Sequence, residues 1–300
     1  MLVPFDQYFK EYTHFLRFEK RYSQHTVNAY LADLSQFRDY LKDSYTDISL
    51  ADITHLQLRS WLADLREKDN LAPRSLNRKI SSVNGYFKYL MRNGFAAKNP
   101  CAVLHSVRLP ERVPVFLKTS ETEQLLEETS FGEGFAAATD RLILELLYIS
   151  GMRRAELISL REEDIEWSLR QLRILGKGNK ERLLPVSGVF LDTLRDYIAL
   201  KKAEGLDASP HLLVLASGKM LYEKYVYHTV KRHLAMVTTL KKKSPHVLRH
   251  TFATHLLNNG ASIQAIKELL GHSSIAATQV YTHINIEELK KVHKLNHPKG

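Results

Sequence analysis

The chain has a single cysteine, Cys101, in 300 residues. One thiol excludes an internal disulfide framework, removes cysteine-based zinc clusters from the options and fits a reducing cytoplasm. No apolar run approaches the roughly 20 residues that span a bilayer, so membrane insertion is not expected. The opening segment MLVPFDQYFKEY carries acids and no cleavage-type signal, which points away from export. Internal repeats and low-complexity tracts are missing. So are two familiar signatures, the Gly-x-x-x-x-Gly-Lys-Ser/Thr phosphate loop and the His-Glu-x-x-His pair of zinc hydrolases. Acidic side chains are in deficit as well. There are 33 against 43 lysines and arginines, a net charge of +10 and a pI near 9.5. That imbalance favours a polyanionic partner, and without a membrane signal nucleic acid is the expected candidate.

What is present reads as an ordinary globular protein, 44% hydrophobic and 25% charged, with a length that suits two domains. The first hundred residues are patterned as helices. Phe5, Phe9, Tyr12 and Leu16 share one helical face. Val27, Tyr30, Leu31, Leu34, Phe37 and Leu41 share another. A third helix is predicted over THLQLRSWLADLREK. A fourth opens at Pro73 and stops at Asn93-Gly94, with an apolar stripe of Leu76, Ile80, Val83, Phe87 and Leu90. Outside that stripe lie Arg74, Arg78, Lys79, Lys88 and Arg92. These five have two readings: a solvated face, or contacts to a DNA backbone, with Ser81, Ser82 and Gly85 permitting close approach.

Pro110 and Pro114 in HSVRLPERVPVFL favour extended chain, and a domain boundary is placed there. The expected organisation is a helical domain over 1–108, a linker over 109–117 and a second domain over 118–300. Ser120 and Glu123 have capping-box spacing at the start of that second domain. FAAATDRLILELLYIS is apolar nearly all round and predicts a buried helix. RQLRILGKGNKERLLPV predicts two short strands around a glycine-rich turn. Helix dominates from residue 222 onward. The fold class is therefore mainly α with a small β-hairpin or sheet.

Five places put cationic or titratable side chains at a turn or helix end. In GMRRAEL, Gly151 ends the buried helix and Arg153 begins the next, against the helix dipole; this is mild support for a bound anion. Glu156, three residues on, shares the face of Arg153 and can orient its guanidinium. Lys177 stands in the hairpin turn. Ser244 and Pro245 are suited to open a helix that sets His246 and Arg249 on one face. His250 and His255 are nearby, but the spacing is wrong for zinc and no metal or other cofactor is expected. His272 falls in a Leu-Gly-His-Ser joint, and Tyr281 follows nine residues later. Each of these alone is most simply a surface or core residue. Together, two arginines, a lysine and two histidines can neutralise a phosphorane and manage protons while a tyrosine attacks.

In the order GMRRAEL, GKGNKER, HVLRH, LGHSS and TQVYTH, the chain closely resembles the tyrosine recombinase (phage integrase) family. Over its full length, through SPHVLRHTFATHLL and the tail VHKLNHPKG, it looks like the Xer type. Arg154 is a minor departure, since many relatives carry a small or apolar residue there. The resemblance implies a SAM-like helical core-binding domain and a mixed α/β catalytic domain that close on DNA as a C-shaped clamp. It also implies roles. Tyr281 is the nucleophile, forming a 3′-phosphotyrosyl bond and expelling a 5′-hydroxyl. Arg153, Arg249 and His272 hold the phosphate, His246 is the acid/base, Lys177 protonates the leaving oxygen, and Glu156 orients. Religation then needs no ATP and no metal. The implied partners are a double-stranded recombination site, sister protomers in a cyclic tetramer of one kind or with a paralogue, and an FtsK-type translocase. A C-terminal exchange helix over 286–296 would carry Ile286, Leu289, Val292 and Leu295 to a neighbouring protomer. The expected role is chromosome-dimer resolution at a dif-like site. The rival readings are a mobile-element integrase and a catalytically silent DNA-binding protein on the same scaffold.

Overall fold

A computed structural model of the chain describes residues 3–45, 48–108, 115–176 and 180–271. The backbone separates into two compact units, divided between residues 112 and 113.

The first unit is helical. Its elements are α1 (Phe9–His14, extended by a π-turn over Phe15–Glu19), α2 (Gln24–Ser44), α3 (His55–Lys68) and α4 (Pro73–Arg92). Local sequence sets the ends. The Ser23 hydroxyl accepts from the Thr26 amide at the start of α2. Thr54 and Gln57 close a box at the start of α3. Pro73 opens α4 in the position where its missing N–H costs nothing. The predicted stripes converge on one core around Phe5, Phe37, Trp61, Tyr86 and Phe87. Phe5 meets Phe37 and Tyr86 edge to face, a geometry that aligns ring edges with ring faces.

Two expectations for α4 need correction. Lys79 is not on the surface: its ammonium lies in the interior, 2.9 Å from Asp33 Oδ1, above the Trp61 ring. Asp33, itself buried, also accepts from Arg78 and from the Ser82 hydroxyl, so a buried carboxylate draws these side chains to it. Two of the small residues serve packing within the unit. Ser82 is fully buried, and a Cβ at Gly85 would stand 2.7 Å from the Tyr12 hydroxyl. Arg74, Arg78, Lys88 and Arg92 remain exposed.

The second unit takes in Leu117, expected in the linker but fully buried here, its amide donating to the Thr251 hydroxyl. The short α5 spans Thr119–Glu123. Its first free amide, on Lys118, is satisfied by Glu121 rather than through a Ser120–Glu123 box, because the helix starts one residue before Ser120. Next come α6 (Phe135–Ser150), α7 (Arg154–Ser159) and an antiparallel sheet in the order β1 (Ile165–Glu166), β2 (Gln171–Leu175), β3 (Glu181–Pro185). The β2–β3 hairpin is the one the sequence predicts, with Gln171 opposite Pro185 and Leu175 opposite Glu181; the two-residue β1 is an addition to it. Then follow α8 (Gly188–Ala203), also an addition to the expected elements, α9 (Glu223–Val237), α10 (Pro245–Asn258) and α11 (Ile263–Leu270). Helix α6 is buried nearly all round, as its composition requires, and runs through the centre of this core. Among the described residues no helix is long and apolar enough to cross a membrane.

Candidate phosphate-binding site

Three chain features bring the cationic residues together. Gly151 ends α6 in the left-handed region at φ 55°, and a Cβ there would lie 2.5 Å from Phe252 and 2.7 Å from Leu270. Only glycine permits both the turn and the close approach. The turn delivers Arg153 to the N-cap of α7, where Glu156 does two tasks at once. Its Oε2 accepts from the Arg153 amide at 2.9 Å, and its Oε1 accepts from the Arg153 guanidinium at 2.7 Å. The arginine that opposes the helix dipole is therefore fixed by an acid that suits it.

Helix α10 supplies the other side. Pro245 is its first residue and Ser244 its N-cap, but the Ser244 hydroxyl makes no capping bond and is buried without a partner among the described residues. Arg249 is buried, and two of its N–H groups are committed to backbone: Nη1 to the Gly151 carbonyl and Nη2 to the Leu270 carbonyl at 2.7 Å. Burial, reinforced by Arg153 nearby, pulls its pKa down to about 10. It stays cationic at neutral pH, yet a bound anion would relieve its desolvation. His246, one turn before Arg249, is held below the ordinary histidine value. Desolvation in the cleft is the main cause, followed by the charges of Lys242, His250, Arg249 and Arg154. At neutral pH its imidazole is uncharged and free to accept a proton.

Arg153, His246 and Arg249 line one cleft of about 890 Å³ between the start of α7, α9 and the start of α10. Seven of its lining residues are arginine or lysine and one, Glu223, is acidic. Glu223 is itself bonded to Arg154. Such a surface suits a phosphodiester backbone: fixed donors face a wall of positive charge, with one neutral base among them.

Of the sequence-predicted residues, the structure therefore brings Arg153, Glu156, His246 and Arg249 together. Lys177, His272, Tyr281 and the 286–296 segment lie outside the described residues. His255, weighed as a metal ligand, is buried between the Tyr148 hydroxyl and the Leu117 carbonyl. Sequence reasoning missed Lys231 and the run Lys241–Lys243, which line the same cleft. The run was visible immediately before the Ser-Pro-His motif. It also missed Arg182, whose Nη2 bonds Glu156 Oε2 at 2.7 Å; one arginine in a strand gives no signal of its own.

The phage integrase family model matches residues 115–288, and the N-terminal SAM-like domain model of the phage integrases matches residues 9–94. The chain is 32% identical over 306 residues to the tyrosine recombinase XerC of Halalkalibacterium halodurans, covering 100% of both chains. It is 34% identical over 296 residues to the tyrosine recombinase XerD of Staphylococcus epidermidis, covering 97% of this chain and 98% of that one. Among solved structures, the XerH site-specific recombinase bound to palindromic difH substrate shares the fold. The TM-score is 0.72 at 21% identity, over 96% of this chain and 83% of that chain. The motifs, the fold and the full-length similarity agree, and the chain belongs to the phage integrase family of tyrosine recombinases, Xer type.

Proposed function

We propose that this chain is a site-specific recombinase that cuts and rejoins double-stranded DNA at a dif-like site, resolving chromosome dimers in the cytoplasm. One observation carries the reading. Arg153, His246 and Arg249 line a single strongly basic cleft, with Arg153 held by Glu156 and Arg249 by two backbone carbonyls. Fixed donors of this kind stabilise developing charge without reorganising during the reaction.

In the proposed step, the two arginines grip the non-bridging oxygens of the scissile phosphate, with His272 assisting. Tyr281 Oη attacks phosphorus and forms the 3′-phosphotyrosyl bond as the P–O5′ bond breaks. A phenol with an ordinary pKa near 10 is a poor nucleophile until a neighbour takes its proton, and the neutral imidazole of His246 is suited to do so. Lys177 returns a proton to the leaving 5′-oxygen. The phosphotyrosine conserves the bond energy, so the reverse attack by a 5′-hydroxyl needs no ATP. Four protomers, identical or paired with a paralogue, would exchange strands in a ring through the 286–296 segment. An FtsK-type translocase would serve as activator.

The test is a nicked suicide substrate carrying the cognate site, with products resolved on a denaturing gel. The wild-type chain should form a covalent protein–DNA adduct without divalent metal, and Tyr281→Phe should form none. An adduct that persists in Tyr281→Phe would refute the nucleophile assignment, and wild-type binding without any adduct would refute catalysis.

A further inference from the structure

We propose that Arg182, on strand β3, is a positioning residue for strand cleavage, holding Glu156 in place and lying against the backbone at Gly176 and Gly271. The inference rests on the recombinase reading above but concerns a residue outside the set that carries the chemistry.

Arg182 is nearly buried, with 9% of its side chain exposed, and is not part of the cleft lining. Its Nη2 bonds Glu156 Oε2 at 2.7 Å, on the oxygen that also accepts the Arg153 amide. The other oxygen of the same carboxylate holds the Arg153 guanidinium. Glu156 is thus clamped from α7 and from β3, and a carboxylate fixed at both oxygens fixes the arginine it orients.

The same side chain lies beside two glycines. A Cβ on Gly271 would lie 3.2 Å from Arg182 Cδ and Nη1, and one on Gly176 would lie 3.7 Å from Nη1. Gly176 immediately precedes Lys177 in the chain, and Gly271 immediately precedes His272. One side chain therefore bonds the residue that orients Arg153 and lies beside the backbone just before two other residues assigned to the reaction. Its charge also contributes to the low pKa of Arg249. A lysine could supply that charge but not the planar fork that reaches the carboxylate while filling the space beside both glycines.

Because Arg182 does not line the cleft, its loss should leave DNA affinity and its salt dependence unchanged. The loss should appear in the cleavage step at saturating DNA. Arg182→Met is expected to slow single-turnover adduct formation by about 10²-fold, the cost of a 1 Å misplacement of reacting groups. Arg182→Lys should be slowed less. Since Arg182 acts through Glu156, the double variant Arg182→Met/Glu156→Gln should be within about threefold of the slower single variant, as expected for members of one network.

A pH profile separates positioning from loss of fold. Glu156 is faced by Arg153 from its own helix, Arg182 from β3 and Arg249 from α10. Burial by itself raises its carboxyl, and the Arg182 bond leads the interactions that outweigh burial and hold it below the usual value. Without Arg182 the Glu156 carboxyl should titrate at higher pH, so a second acid fall in the cleavage rate should appear below the one set by His246, an effect a general loss of stability would not produce. Arg182→Lys retains the charge and the stem, so it carries the test should Arg182→Met fail to fold. Wild-type cleavage rates at equal DNA occupancy in Arg182→Lys, no second acid fall below the His246 limb in the variants, or multiplicative losses in the double variant would each overturn the proposal. Absence of any adduct with the wild-type chain would instead overturn the recombinase reading.

Discussion

His246 and Arg249 sit one turn apart on the same helix, yet the structure gives them opposite electrostatic situations. Arg249 is buried and cannot shed its proton at neutral pH even with its pKa pulled down to about 10. His246 is partly desolvated and sits among cations, and both favour its neutral form. The pair therefore offers a permanent cation and a vacant base within one cleft. A base works only while deprotonated, so cleavage should be flat through neutrality and fall as pH drops through the lowered pKa of His246. Rates measured at limiting DNA report the free protein's ionisations, and the acid limb should lie below the ordinary histidine value of about 6.5. An acid limb above that value would exclude His246 as the proton acceptor. Glu156 shows the limit of reading residues singly. The i, i+3 spacing made its pairing with Arg153 legible, while Arg182, 26 positions downstream, reaches the same carboxylate only because the β2–β3 hairpin folds onto α7.

Among elements, α4 separates two kinds of basic residue that stand side by side in the sequence. Its apolar stripe is legible from spacing, since all five named positions are buried. The basic positions are not equivalent, because Asp33 on α2 is buried and draws Lys79 and Arg78 to itself. Periodicity could not reveal this, as it records which face is apolar and not which polar groups meet across two helices. Lys79→Met should therefore cost stability, about 2 kcal/mol for a lost hydrogen bond to a buried charge, and leave DNA binding nearly untouched. Lys88→Gln, at an exposed position, should change stability by less than about 0.5 kcal/mol. It should lower the slope of log affinity against log salt by about 0.9 if Lys88 meets a phosphate. Denaturant unfolding and a salt titration on the same two variants decide the matter; an unchanged slope in Lys88→Gln would return α4 to a solvated face.

For the molecule as a whole, the net charge of +10 is not evenly spread. The α7–α9–α10 cleft gathers seven cations against one acid that is already paired. Lys243 bonds the Leu240 carbonyl of its own loop, whereas Lys241 and Lys242 are exposed at the cleft. Replacing Lys241 and Lys242 by glutamine should reduce the salt slope by roughly 1.8, about 0.9 for each phosphate left unneutralised, while sequence preference stays the same. Fluorescence titration at a series of salt concentrations measures this directly. A slope equal to that of the parent chain would move the DNA path away from that loop.

The sequence by itself determined the helices of the first unit and most of those of the second (α8 excepted), the hairpin and the order of the reactive motifs. All three are written in local spacing: a period of about 3.6 residues, a glycine-rich turn between apolar runs, and short fixed intervals such as His-x-x-Arg. Tertiary structure alone decided which charges face solvent and which are buried in pairs. It also decided that Gly151 must be glycine because Phe252 and Leu270 close over it, and that Arg182 joins Glu156. Those outcomes depend on segments far apart in the chain meeting, where burial makes an unpaired charge costly and so selects its partner.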